Sequence, residues 1–169
     1  VQLRIPGWAA GGSICWQGKE IPITKAMSGT YYPVTVEEDG EILLTLAMPA
    51  RYTTAHLLVE EDTNQAAVER GPLVYCIEGM DAPTAPPVDL TLDLNASSGL
   101  DIETIQGREI AVLQTKMYKI ERPDYDPEAL YQPLSFGGLS SVDVKMVPYY
   151  AWDNRGYDEM KIWLPVAYR

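Results

Sequence analysis

The stretch "VERGPLVYCIEG", Val68 to Gly79, is apolar on both sides of a two-residue repeat. In a strand that begins at Pro72, Val74, Cys76 and Glu78 share one face, and Leu73, Tyr75 and Ile77 share the other. Because both faces are largely apolar, the pattern predicts a central strand covered on each side. Such a strand needs sheet neighbours, and the sequence around it supplies them. "VDLTLDL" sets Val88, Leu90, Leu92 and Leu94 against Asp89, Thr91 and Asp93. "EILLTL" aligns Ile42, Leu44 and Leu46, and "EMKIWL" aligns Met160, Ile162 and Leu164. Turn signals separate these runs: "GWAAGG", "EEDG", "IQGRE" and "DNRG". The expectation is an all-β fold of one or two antiparallel β-sandwiches, jelly-roll-like, with at most one short helix near residues 126–131. There Asp126 is the candidate cap and Pro127 the first helical residue. The proline-rich "MDAPTAPPV", Met80 to Val88, reads as an extended linker, which sets expected domains at 1–79 and 80–169.

Composition narrows the function classes. Of 169 residues, 46% are hydrophobic and 22% charged, the balance of a globular chain. The net charge of -11 disfavours nucleic acid and anionic membranes as partners, since both are bound through Lys and Arg. No apolar run approaches the length of a membrane span, and the N-terminus has no signal-peptide pattern. The chain starts inside strand-like sequence without Met, so it is expected to be a piece of something longer.

Cys76, two residues ahead of Glu78, has the residue types of a nucleophile and its acid/base partner. The competing reading is core: buried cysteine behaves as a small hydrophobe, and Arg70 is the nearest basic residue in sequence. The core reading is preferred, because nothing close by would lower the thiol pKa. Cys15 and Cys76 could pair but make no disulfide framework. His56 is the only histidine and no Cys-x-x-Cys occurs, so no four-ligand zinc site is assembled from sequence. The acidic runs at 37–41 and 60–62 lack the spacing of a calcium loop and read as solvated turns. Asn95 opens an Asn-Ala-Ser sequon, which matters only in a glycosylating pathway.

The densest chemistry is aromatic. "YYAWDNRGYDEMKIW" gathers Tyr149, Tyr150, Trp152, Tyr157 and Trp163 around a turn containing Asp153, Asn154 and Arg155. Such rings serve either as a sugar-stacking platform or as packing at a domain interface, with Arg155 bridging carboxylates or carbonyls.

Four motifs in this order carry a resemblance: "LRIPGW" (Leu3 to Trp8), "MPARY" (Met48 to Tyr52), "VERGPLVYCIE" (Val68 to Glu78) and "VPYYAWDNRG...EMKIWLP" (Val147 to Pro165). They resemble the region C-terminal to the catalytic barrel in glycoside hydrolase family 127. "WQGKEI" departs from that family's Asn-Gly turn, and "VEEDGEI" lacks the Trp often found ahead of a Gly-Asp turn. The resemblance implies a longer parent, bacterial in most cases and so placed in cytoplasm or periplasm, with an (α/α)6 barrel followed by two β-sandwiches. Further strands usually precede "LRIPGW", which would leave the first sandwich incomplete. Family members typically release β-L-arabinofuranose with retention, using a zinc-bound cysteine and a glutamate acid/base in a barrel motif containing two adjacent cysteines. No Cys-Cys dipeptide occurs here, so no catalytic residue, metal ligand or cofactor carries over, and zinc is expected only in the absent catalytic domain.

The implied role is a non-catalytic accessory region that buttresses the barrel and forms a subunit interface, such as a homodimer. Candidate interdomain or sugar contacts are Trp8, Arg70, Tyr149, Tyr150, Trp152, Asn154 and Arg155. The alternative is a carbohydrate-binding module stacking sugars on Trp152 and Tyr150.

Overall fold

The structure is a computed structural model describing residues 1–122, 126, 128–135 and 137–167. The chain divides into two compact units, Val1–Arg51 with Arg70–Pro72, and Tyr52–Glu69 with the chain from Leu73 onward. The domain boundary expected after Gly79 differs from this division, which groups residues 73–79 with the C-terminal strands. The reason is hydrogen bonding: the strand Leu73–Glu78 is paired to strands from the end of the chain.

In the first unit, β1 (Gln2–Arg4), β2 (Gly12–Trp16), β3 (Lys19–Pro22), β4 (Tyr31–Pro33) and β5 (Ile42–Leu46) form two small sheets. β1 pairs with β4, and β2 lies between β3 and β5, all antiparallel. Ile5, Ala9, Ile14, Ile23 and Val34 make the core, with Trp8, Trp16, Ile42, Leu44 and Leu46 packed on it. β5 keeps its sequence alternation: Leu43, between two inward residues, is 58% exposed. Gln17 and Gly18, at φ 50° and 72°, form the β2–β3 turn. Both central residues left-handed is the geometry that matches strand twist in a two-residue hairpin, so Gln-Gly keeps the turn for which Asn-Gly is the common choice.

The strands β6 (Ala50–Thr53) and β7 (Gln65–Arg70) run across the division, and the second unit continues with β8 (Leu73–Glu78), β9 (Leu90–Leu92), β10 (Gly99–Ile105), β11 (Arg108–Ile120), β12 (Leu139–Pro148), β13 (Met160–Lys161) and β14 (Leu164–Pro165). The main order is β10-β11-β12-β8-β7-β14, with β13 on β8, β6 on β7 and β9 on β11. Tyr75 and Ile77 of β8 enter a large core with Leu90, Leu92, Leu113, Met117 and Met146. Cys76 points into a second core with Ile105, Ile110, Val112 and Val147. The two-sided burial expected of this strand is therefore present, because β8 has an apolar cluster on each face.

Three local expectations change. "VDLTLDL" is not one half-buried strand: Leu90, Thr91 and Leu92 are all buried, while Val88 and Leu94 are exposed. Val88 sits in a single 3-10 turn, Pro87–Asp89, set by Pro86 and Pro87, which breaks the alternation before it starts. "EMKIWL" is likewise interrupted, since β13 pairs with β8 and β14 with β7. "MDAPTAPPV" is not a free linker. Asp81, Ala82, Ala85 and Pro87 are buried, because small side chains between 3-10 turns pack on the large core. Of the helix expected near 126–131, Pro127 lies outside the described residues. Among the others, the Asp126 carboxylate accepts the Glu128 N–H at 2.9 Å, closing a turn.

Candidate functional site: a buried ion cluster beneath an aromatic turn

β8 places Glu78 at its end, wholly buried, and a 3-10 turn, Gly79–Asp81, returns Asp81 to the same spot at 4% exposure. The Glu78 N–H points to Asp81 Oδ2 at 3.4 Å. Two carboxylates this deep demand cationic partners, since an isolated buried charge costs several kcal/mol. Arg155 supplies the first. Its Nε donates to Glu78 Oε2 at 3.0 Å and its Nη1 to Asp81 Oδ1 at 2.7 Å, while Nη2 reaches both carboxylates. The hydrogen bonds that Arg155 donates to Asp81 and Glu78 raise its pKa further above its ordinary value, outweighing the effect of burial. Lys145 supplies the second cation, 3.3 Å from Asp81 Oδ1 and 2.9 Å from Glu103 Oε2.

The cluster fixes the loop above it. The Asp153 N–H donates to Glu78 Oε1 at 3.1 Å, and Asp153 itself has φ 61°. Gln106, from the β10–β11 hairpin, donates its side-chain amide to the Asn154 carbonyl at 2.8 Å. Asn154 donates to the Trp152 carbonyl at 3.1 Å. Ahead of these, Tyr149–Ala151 forms a 3-10 turn whose Ala151 is buried. Residues three apart eclipse in this geometry, so Tyr149 and Trp152 stack, centroids 5.7 Å apart and planes 18° apart. Tyr150 projects elsewhere, and Tyr149, Tyr150, Trp152 and Tyr157 are all exposed.

Of the residues singled out from sequence, Tyr149, Tyr150, Trp152, Asn154 and Arg155 therefore share one loop. Trp8 and Arg70 belong to the first unit. Trp8 rests on that unit's core and lines a concave surface with Lys25, Ser28 and Arg51. Arg70 ends β7, partly exposed, and its side chain forms no hydrogen bond or ion pair among the described residues. Sequence reasoning missed Glu78 and Asp81 as Arg155 partners. The available signal was a glutamate at the end of a strand apolar on both faces, which cannot be satisfied locally.

Cys76 is fully buried, and burial, followed by the Glu78 and Asp81 carboxylates, pushes its thiol up to about 12. Arg155 pulls the other way and is outweighed. Alternation turns Cys76 toward the second core, and Glu78 is committed to Arg155. Cys15 and Cys76 are free thiols in different units, and among the described residues no group of three His, Cys, Asp or Glu side chains converges on a metal position.

An antiparallel all-β region in which a buried cluster of Glu78, Asp81 and Arg155 braces a surface loop is the class that fold and site define. The C-terminal domain of glycoside hydrolase family 127 matches residues 50–165, and the chain belongs to that family. It is 30% identical over 166 residues to the non-reducing end β-L-arabinofuranosidase of Bifidobacterium longum subsp. longum, covering 95% of this chain and 25% of that protein. A solved glycoside hydrolase superposes with a TM-score of 0.85 at 31% identity, over 99% of this chain and 27% of that one. A family 127 β-L-arabinofuranosidase from Geobacillus stearothermophilus T6 gives 0.81 at 27% identity, over 98% and 26%. The chain thus spans about a quarter of the length of these relatives.

Proposed function

We propose that this chain is a non-catalytic accessory region that buttresses the catalytic barrel of a longer glycoside hydrolase of the β-L-arabinofuranosidase kind. The observation that supports this most is the exposed Tyr149–Trp152 stack, held on a loop pinned from beneath by Glu78, Asp81 and Arg155. Aromatics of fixed conformation are what an interface core uses, because little entropy is lost when they dock. The occupant is the remainder of the parent chain, since relatives are about four times longer. A buried, protonated Cys76 and an ion-paired Glu78 support the absence of chemistry in this region.

The test has two arms. The chain alone is assayed on a chromogenic β-L-arabinofuranoside, with no hydrolysis expected at any pH. It is then mixed with the separately expressed barrel of its parent, where association is expected and Trp152→Ala weakens it. Turnover by the chain alone in the presence of a chelator, whether lost or kept in Cys76→Ala, would overturn the non-catalytic reading. Association unaffected by Trp152→Ala, or dimerisation of the chain through Tyr149 and Trp152, would overturn the docking surface.

A further inference from the structure

Tyr150 lies outside the Tyr149–Trp152 stack. A 3-10 helix advances about 120° per residue, so Tyr150 points away from the stacked pair and over the β10–β11 hairpin. There it lines a hollow of about 290 Å³ with Ile105, Gln106, Arg108, Ile110 and Asn154. Ile105 and Ile110 are buried and form an apolar floor, and Tyr150, 59% exposed, forms an aromatic wall. The polar rim has unused capacity. Gln106 spends an amide N–H on the Asn154 carbonyl and Asn154 spends one on the Trp152 carbonyl, which leaves both side-chain oxygens as acceptors. Arg108 forms no hydrogen bond or ion pair among the described residues, so its guanidinium offers a fork of donors. The Gln106 to Asn154 bond ties the hairpin to the aromatic loop and fixes the spacing of the two walls.

We infer that this hollow is a binding subsite for one uncharged sugar ring, stacked by a C–H face on Tyr150 and hydrogen-bonded through its hydroxyls to Arg108, Gln106 and Asn154. An aromatic face beside mixed donors and acceptors matches a sugar, which presents an apolar face and a hydroxylated edge. The volume sits at the small end of ligand pockets, about 300 Å³ and upward, which suits one ring rather than a chain. A protein of net charge -11 disfavours an anionic ligand at an open surface site, so the uncharged sugar is preferred to a uronate. The site is separate from the stack assigned to docking, so it stands or falls independently of that reading.

The experiment is a two-dimensional NMR titration of the 169-residue chain with methyl β-L-arabinofuranoside and L-arabinose, with D-galacturonate as the charged comparison. Saturable shifts are expected at residues 105–110 and 150–154, with a dissociation constant on the order of millimolar. Tyr150→Ala should weaken binding about tenfold and Arg108→Ala by a smaller factor, while Tyr157→Ala, outside the hollow, leaves it unchanged. Absence of saturable shifts, equal affinity in Tyr150→Ala with its fold intact by NMR, or tighter, salt-sensitive binding of galacturonate would each overturn the assignment.

Discussion

Glu78 and Arg155, 77 positions apart, meet in a buried ion pair with Arg155 Nε 3.0 Å from Glu78 Oε2. The pair joins the end of β8 to the aromatic loop, and Asp81 completes it from the adjoining 3-10 turn. Two chain segments distant in sequence are thus fastened by charge where apolar packing ends.

Removing Arg155 should be costly. Arg155→Ala leaves Glu78 and Asp81 buried with Lys145 as the one remaining cation among the described residues, a loss of about 3 kcal/mol by comparison with broken buried pairs. For a chain of this size, thermal denaturation should show a drop in midpoint of roughly 10 °C. Arg155→Lys should recover only part of that, because an ammonium cannot span both carboxylates in one plane. A full recovery in the lysine variant would contradict the geometry.

Cys76 should be silent to thiol reagents. With its thiol pushed up to about 12, it stays protonated and covered at pH 8, whereas partly exposed Cys15 should be labelled in the native state. Mass mapping of an alkylated sample reads this directly. A thiol whose pKa is raised in the folded state contributes stability that is complete below its unfolded value and is lost as pH rises through the folded one. The stability difference between the native chain and Cys76→Ala should therefore shrink from about pH 9 toward pH 12. A pH-independent difference, or labelling of Cys76 without unfolding, would sink this account.

Gly71 turns the chain between β7 and β8 at φ 57°, and a Cβ placed there would lie 2.6 Å from Met48 Sδ. Gly71→Ala combines a left-handed backbone with that contact and should cost about 1–2 kcal/mol. Chemical denaturation should also show that Gly71→Ala/Met48→Ala relieves the steric part but not the backbone part. Equal stability of Gly71→Ala and the native chain would rule out the strain.

Thr91 is the reverse case. Its hydroxyl is buried on β9 with no hydrogen-bond partner among the described residues. Thr91→Val keeps the shape and removes an unsatisfied group, so stability should rise by up to about 1 kcal/mol. A clear loss in equilibrium denaturation would show that the hydroxyl is satisfied after all.

The sequence was most legible where one face of a strand meets one core. β5 kept its alternation, β8 was correctly read as covered twice, and Gln106-Gly107, within the expected "IQGRE" turn, joins β10 to β11. It was least legible around prolines. Pro86 and Pro87 turned an alternating run into a 3-10 turn and a short, wholly buried strand, because the missing N–H and fixed φ act before side-chain pattern can. The aromatic loop was visible as composition, but its division into a stacked pair and a separate Tyr150 depends on three-residue helical geometry no spacing rule announced.

By itself, the sequence determined the all-β class, the apolar character of β8, the structural role of Cys76 and, through four ordered motifs, the family. Those features depend on periodicity and local chemistry, which are written along the chain. Only the tertiary structure decided which carboxylates Arg155 would hold, that β8 would join strands from the chain's end, and that Gln106 would brace Asn154. Charge pairing across 77 positions is a through-space quantity. A buried carboxylate announces that it needs a cation, and the fold alone chooses which one arrives.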